Sequence, residues 1–400
     1  MFCTIYKIGG IIMLFVGREN LTNELGNDAY VDAKKSHAIF VCGKRGSGKS
    51  YTLGVLVEEL HDVHPEILNI IVDPMGIFWT MGEPNYSQER DLWNWNSFAK
   101  EYPAKLIVPG NPSKRFEKEV IDELKSRNIP IGSIQINPSD ISPEGWCDLF
   151  NININEMMGI SLYRAIDNIS ERKNYFNISD IINEIEKDAK SKETTREALV
   201  NRLNMAEKWG IFSETLVSID EVFDSNYINI LDLSTVEGGR HGLRDLIVSI
   251  VAKYLFNQRL RSRKLEQLKL SSKMPKVWMF IDEAHNFVPS GKSTLSKEPL
   301  IRWAKEGRQP GLNLIIATQQ PSAVDNEILS QCDIVFAHKV TNREDVTALN
   351  KLNQEYMSGE LKTYLKDLGK GECIIVDDET ESIRNIRIKP RKSRHGGGEN

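Results

Sequence analysis

The feature that most constrains this chain is a series of short, β-rich runs with few polar interruptions, each leading into a helical pattern. "HAIFVC" (37–42), "ILNIIVD" (67–73), "AKLIVP" (104–109), "YINILDL" (227–233), "KVWMFID" (276–282), "LNLIIAT" (312–318), "DIVFAHKV" (333–340) and "ECIIVDD" (372–378) read as strands. A run apolar at nearly every position suits a strand buried on both faces. Strands that alternate with helices build a doubly wound, mostly parallel α/β sheet. From about residue 116 to 220 the rhythm changes to amphipathic helical spacing, with Ser142 as an N-cap before Pro143, so an all-helical insertion is expected there. The expected division is a short N-terminal hairpin or extension (1–36), a first core part (37–115), the insertion (116–220), a second core part (221–389) and a basic, then glycine-rich, tail (390–400).

With 400 residues and 40% hydrophobic side chains, the chain can bury a core without disulfide or metal staples. A net charge of −5 excludes an overall polycation, so any nucleic-acid contact needs a local basic surface. The five cysteines form no C-x-x-C pair, which favours a reducing cytoplasm. The apolar start "MFCTIYKIGGIIMLFVG" is interrupted by Lys7 and Gly9-Gly10, and no membrane span is expected.

"GKRGSGKS" (43–50) matches the phosphate-loop pattern G-x-x-x-x-G-K-[ST], with a strand before it and a helix after it. The candidate nucleotide contacts are Gly43, Lys44, Arg45, Gly46, Ser47, Gly48, Lys49, Ser50 and Tyr51. Glycines let backbone N–H groups wrap phosphates, and the helix N-terminus adds partial positive charge. Lys49 is expected on the β- and γ-phosphates of ATP and Ser50 on Mg²⁺. Asp282 and Glu283 end a hydrophobic strand, the end where open α/β sheets bind ligands. Asp282 is the second magnesium ligand, and Glu283 the base that polarises the attacking water. Further on, Gln319 ends a strand where a polar group can sense the γ-phosphate. Arg308 is either an arginine finger for a neighbouring subunit or a cation favoured at a helix C-terminus.

In this order, "GKRGSGKS", "FIDEAHNFVP", "AKEGRQPGLNLIIATQQPS" and "ILSQCDIVFAHKV" resemble the HerA branch of the HerA/FtsK superfamily of P-loop motor ATPases, over about residues 35 to 395. The resemblance implies a RecA-like P-loop core, a hexameric ring of identical subunits, and ATP-driven pumping of double-stranded DNA. It also implies Arg308 as a trans-acting finger and Gln319 as the polar sensor. Two departures stand out. About 36 residues precede the first core strand, too few for the family's N-terminal barrel of about a hundred residues. That barrel helps to dock the NurA nuclease, so the nuclease partner, NurA-like or other, needs another surface. Ile77 stands where family members often carry an acidic residue, which leaves Asp73 as a magnesium-shell, subunit-contact or plain turn residue.

Other signals are weaker. The basic end "RNIRIKPRKSRH" (384–395) reads as a neighbour-subunit contact, a DNA contact or a solvated tail. "QRLRSRKLEQLK" (258–269) reads as a solvated face, Trp79, Trp93 and Trp95 as packing residues, and His61 with His64 as no zinc site. Asn350-Lys351 lacks the aspartate of a guanine-reading motif, and no L-S-G-G-Q run is present, which argues against a GTPase switch and an ABC ATPase. The remaining alternative to a DNA motor is a regulatory or scaffold ATPase that gates an effector complex.

Overall fold

The computed structural model of the chain describes residues 7–8, 11–21, 24–213, 222–236, 242–271, 274–352 and 365–397. Among these, one 13-stranded sheet contains β1 (Lys7–Ile8), β2 (Ile11–Leu21), β3 (Glu24–Asp32), β4 (Ala38–Cys42), β5 (Leu68–Asp73), β6 (Ala104–Pro109), β7 (Ile131–Ile134), β8 (Ile228–Asp232), β9 (Val277–Ile281), β10 (Leu312–Thr318), β11 (Ile334–Ala337), β12 (Glu372–Asp377) and β13 (Ser382–Ile388). The order is β1-β2-β13-β12-β11-β4-β10-β9-β5-β8-β6-β7, with β3 paired to β2. From β11 to β7 every pairing is parallel. β12, β13, β2 and β3 extend it antiparallel.

The apolar runs are explained by a core on each face. Ala38, Phe40 and Cys42 of β4 pack with the helix Leu243–Gln267 on one side. Ile39 and Val41 pack with α1 (Lys49–Val63) on the other. A Val, Ile or Phe side chain contributes about 1.5–3 kcal/mol when fully buried.

The helical insertion differs from its expected outline. Ile131–Ile134 form β7, parallel to β6, so the sheet continues into the segment expected to be all-helical. Beyond it come the helices Pro143–Leu149, Met157–Ser170, Ile178–Glu186 and Glu193–Glu207. Ser142 Oγ accepts the Gly145 N–H at 3.1 Å, with Pro143 in the first turn, as an N-cap should. These helices join the same apolar core as Leu243–Gln267 through Trp146, Leu162, Ile181 and Leu203. Residues 1–6, 214–221 and 398–400, parts of four expected segments, lie outside the described residues. Among the described residues no helix is long and apolar enough to cross a membrane.

Two surface readings are corrected. Arg259, within the expected solvated basic face, is buried and donates to the Pro310 carbonyl at 2.7 Å, pinning the turn before β10. Trp93 is 69% exposed and not a packing residue. Trp79 packs against the core, and Trp95 sits under the Arg18 guanidinium, 4.8 Å from the ring centroid.

The basic end of the chain is also not a solvated tail. After β13 the chain crosses the outer side of α1 as a strap. Arg391 and Glu58 are both fully buried, with Arg391 Nε 3.2 Å from Glu58 Oε1. The Lys392 and Ser393 N–H groups donate to the same carboxylate at 2.8 and 3.0 Å. Lys389 pairs with Glu59, and Lys392 bridges Glu59 at 3.0 Å and Asp62 at 2.7 Å. Burial alone would raise the Asp62 pKa, but Lys392 and Lys100 outweigh it and hold the carboxyl at about 2. Glu59 also accepts the Phe15 N–H at 3.3 Å, so the N-terminal hairpin, the strap and α1 meet at one carboxylate.

The strap passes so close that Gly54 of α1 has no room for a side chain: an added Cβ would lie 2.5 Å from Arg391 Cζ. A surface-helix Gly→Ala change normally gains up to about 1 kcal/mol. Here the guanidinium is held by Glu58 and Ser393 and cannot swing away. Gly54→Ala is therefore expected to destabilise by about 1–3 kcal/mol, read as a lower urea midpoint. In an Arg391→Ala background the same change becomes stabilising; a gain in the unaltered background would contradict the packing described.

Candidate nucleotide-binding site

β4 ends at Cys42, and the chain then turns through Gly43, Gly46 and Gly48, all at positive φ (153°, 75° and 117°). A Cβ on Gly43 would lie 2.5 Å from Ser47 Oγ and 2.6 Å from His338 Cβ, so only glycine fits. Ser47 Oγ donates to the Lys44 carbonyl at 2.8 Å, and the Lys44 N–H donates to the Lys339 carbonyl at 2.8 Å. Residues 44–46 are exposed at the tip. α1 begins at Lys49 with no acidic residue in its first turn and no side-chain cap, which leaves its N-terminal N–H groups for an anion. Lys49 is buried and donates across the loop to the Lys44 carbonyl at 3.2 Å. Burial lowers its pKa, and Glu283 and Asp282 oppose that.

β10 separates β4 from β9, yet their ends meet. Ser50 Oγ donates to Asp282 Oδ2 at 2.7 Å. Asp282 is buried, which raises its pKa; the Ser50 hydroxyl works against that shift. Two oxygen donors so close, on a phosphate loop, suit a hard cation such as magnesium. Glu283 takes a left-handed backbone (φ 49°, ψ 49°), a conformation that costs a non-glycine residue about 1–3 kcal/mol. Burial, with the Asp282 charge adding to it, raises the Glu283 pKa; the Lys49 charge and the Gln319 N–H only partly oppose that. Glu283 Oε2 is buried without a hydrogen-bond partner and lies 3.3 Å from His285 Nδ1. His285 in turn meets Thr318 Oγ1 at 3.0 Å, linking the ends of β9 and β10.

Thus Lys49, Ser50, Asp282, Glu283 and Gln319 converge at the carboxyl ends of the strands, and Arg308 does not join them. Thr318 of β10 pairs with Cys42 and Leu314 with Ala38, so Arg308, before β10, sits at the opposite end of the sheet from the loop that follows Cys42. It is exposed, 3.6 Å from Asp333 Oδ2, beside a cavity of about 440 Å³ that also borders Lys35 and Asp378. Tyr51 turns its hydroxyl to the strap, accepting the Arg391 N–H at 2.6 Å and donating to Gln88 at 2.8 Å.

Asp73 belongs to the turn. Its Oδ1 accepts the Met75 and Gly76 N–H groups at 3.1 and 2.8 Å, and Oδ2 accepts that of Phe78 at 2.8 Å. Burial, with Asp232 and Asp282 adding to it, pushes its carboxyl up to about 7 against the pull of those donors. His61 and His64 gather no further ligands; among the described residues no cluster of metal-binding side chains occurs. Sequence reading missed His338, which lies against the loop, and the strap, because both approach α1 from hundreds of residues away.

Residues 19–255 match the family model for the helicase HerA central domain. The chain is 26% identical over 370 residues to the DNA double-strand break repair helicase HerA of Sulfolobus acidocaldarius, across 91% of this chain and 67% of that protein. It is 25% identical over 386 residues to a probable helicase of Methanocaldococcus jannaschii, across 92% of this chain and 65% of that one. It therefore spans about two thirds of the length of these relatives. In structure it is similar to VirB4 of Thermoanaerobacter pseudethanolicus (TM-score 0.59, 14% identity, 96% of this chain and 97% of that one). It is also similar to the bacterial conjugative coupling protein TrwB (TM-score 0.51, 11% identity, 92% and 90%). These likenesses are of fold: a RecA-like, P-loop α/β core.

Because the Asp73 oxygens are occupied by the turn, Asp73→Ala is expected to cost about 2–4 kcal/mol of stability through three orphaned N–H groups. The magnesium dependence of nucleotide binding stays unchanged. Denaturation midpoints and a magnesium titration read the two effects separately, and a shifted magnesium requirement would return Asp73 to the metal shell.

Proposed function

Because this chain belongs to the family of the helicase HerA central domain, we propose that it is an ATP-driven ring motor, a helicase or translocase on double-stranded DNA that serves a partner nuclease in DNA-end processing or defence. The observation that carries the reading is the 2.7 Å Ser50–Asp282 contact beside Glu283, whose Oε2 has no hydrogen-bond partner. Main-chain N–H groups within residues 43–51, other than those of Lys44 and Ser47, which donate to the Lys339 and Lys44 carbonyls, hold the phosphates of ATP, and Lys49 neutralises the β- and γ-phosphates. Ser50 and Asp282 hold Mg²⁺, which supplies charge compensation for the transferring phosphoryl group. Glu283, whose carboxylate lies beside the Gln319 N–H, takes a proton from the attacking water. Gln319 senses the γ-phosphate from the end of β10.

Arg308 completes the site of the next subunit in a ring of identical subunits, a hexamer by family resemblance. Its place at the far end of β10 supports this, since it cannot serve its own phosphate loop. DNA is held by its backbone in the ring channel, without base reading, because translocation tolerates every sequence. The sequence has no carboxylate cluster of nuclease type beyond Asp282 and Glu283, which supports a separate cutting partner, NurA-like or other, docking on the N-terminal hairpin or the helical insertion. Four buried free thiols, Cys42, Cys147, Cys332 and Cys373, suit a reducing cytoplasm.

Glu283→Gln is expected to bind ATP but to lose hydrolysis by at least about a hundredfold, whereas Lys49→Ala loses nucleotide affinity. Wild-type turnover by Glu283→Gln would end the assignment. Duplex DNA is expected to stimulate turnover, with an effect that fades steeply between low and high salt. If DNA neither binds nor stimulates, with or without the nuclease partner, the scaffold-ATPase reading replaces the motor.

Shared sites predict complementation. Lys49→Ala and Arg308→Ala proteins are each inactive alone, and their mixture regains a fraction of the ATPase rate through intact interfaces. Full activity from an isolated monomer would overturn the trans role of Arg308.

A further inference from the structure

The phosphate loop of this chain rests on a side chain that no phosphate-loop pattern specifies. His338 follows β11 and is fully buried. A Cβ on Gly43 would lie 2.6 Å from His338 Cβ, and one on Gly48 would lie 3.6 Å from His338 Cε1. The imidazole therefore lies against the first and last glycines of the loop. His338 Nδ1 is 2.9 Å from the Glu372 carbonyl oxygen, and Nε2 is 2.9 Å from Thr52 Oγ1. A carbonyl only accepts, so the proton sits on Nδ1; Nε2 is then an acceptor, and the Thr52 hydroxyl donates to it. One chain of hydrogen bonds thus runs from the β12 main chain through His338 to the first turn of α1. Beside it, the Lys44 N–H donates to Lys339 and the Gly371 N–H to Ser47, at 2.8 and 3.4 Å.

We propose that His338, acting through Thr52, is a positioning residue for nucleotide binding that holds the phosphate loop open in its anion-binding shape. This rests on the nucleotide reading above. A loop with three glycines at positive φ is conformationally free. Its N–H groups converge on phosphates only if that freedom is removed, and removing it before binding spares the ligand the cost. Thr52 is well placed for this, because its own N–H already makes the first helical bond to Gly48 at 2.8 Å. The hydroxyl bond to His338 is therefore an additional tie between helix and sheet. Burial first, with the Lys49 charge adding, pushes the imidazole down to about 4, so the proton arrangement persists at neutral pH. The alternative is a histidine that merely fills the core.

The test uses the full chain and the fluorescent analogue mant-ATP with magnesium, at a temperature well below each variant's melting midpoint. Thr52→Val keeps the shape and removes the donor; it is expected to raise Kd about tenfold, while Thr52→Ser, which keeps the donor, stays within about twofold of the unaltered chain. His338→Leu raises Kd at least as much as Thr52→Val. The double variant Thr52→Val/His338→Leu is no weaker than His338→Leu alone, because both changes remove one bond. A Thr52→Val protein with a lower melting temperature but an unchanged Kd marks a merely structural histidine and overturns the proposal, as do losses that multiply in the double variant. In both cases the ATPase reading stands. No mant-ATP binding by the unaltered chain overturns both.

Discussion

Every residue of β4, β5, β8, β9, β10 and β11 is buried, and alternate side chains feed two separate cores. Within these strands the buried polar side chains Asn229 and Asn313 are used up in hydrogen bonds to neighbouring main chain, since burial costs each its water. Chemistry is therefore confined to the strand ends, where the backbone leaves the sheet. The carboxyl ends of β4, β9 and β10 carry Lys49 and Ser50, Asp282 and Glu283, and Gln319 respectively. Parallel pairing is what puts these ends side by side, so the hydrophobic constraint is also what assembles the site.

The same burial creates a debt on the other side of α1. Glu58 and Glu59 are buried beneath the strap, where a carboxylate is destabilising by about 3–5 kcal/mol once its partner is lost. The strap supplies the partners: Arg391 and the Lys392 and Ser393 N–H groups for Glu58, and Lys389 and Lys392 for Glu59. A well-packed apolar strap would give as much stability without any charge. The helix that begins at the phosphate loop is held along its length, by Tyr51 near its start and Asp62 near its end.

The loop itself is held from three directions: by Lys339 at its tip, by Gly371 at Ser47, and by His338 beneath Gly43 and Gly48. These anchors lie on β11 and β12 and the segments beside them, the strands that join the parallel core to its antiparallel extension. Arg308 belongs to the other end of the same sheet. In the proposed shared interface Arg308 therefore serves the loop of a neighbouring subunit, because its own loop lies at the far end of β10.

The sequence by itself determined the parallel core and the polar residues at its strand ends. Continuous apolar runs have few alternatives to burial on both faces, and the spacing of Gly43, Gly48, Lys49 and Ser50 is a local requirement of phosphate binding. It did not reveal β13, whose mixed polar pattern suits a strand near the sheet's edge, nor β7, half-buried at the margin. Asp73 read equally as a metal-shell, contact or turn residue, and only three short N–H contacts assign it to the turn. The basic run at 384–395 read as a neighbour-subunit contact, a DNA contact or a solvated tail, because charge pattern carries no record of a partner more than 300 positions away. Tertiary structure decided that Glu58 and Arg391 meet, that Gly54 lets them, and that His338 reaches Thr52. Those contacts depend on which strands become neighbours, and strand order is set by the packing of the whole chain, which no local window of residues contains.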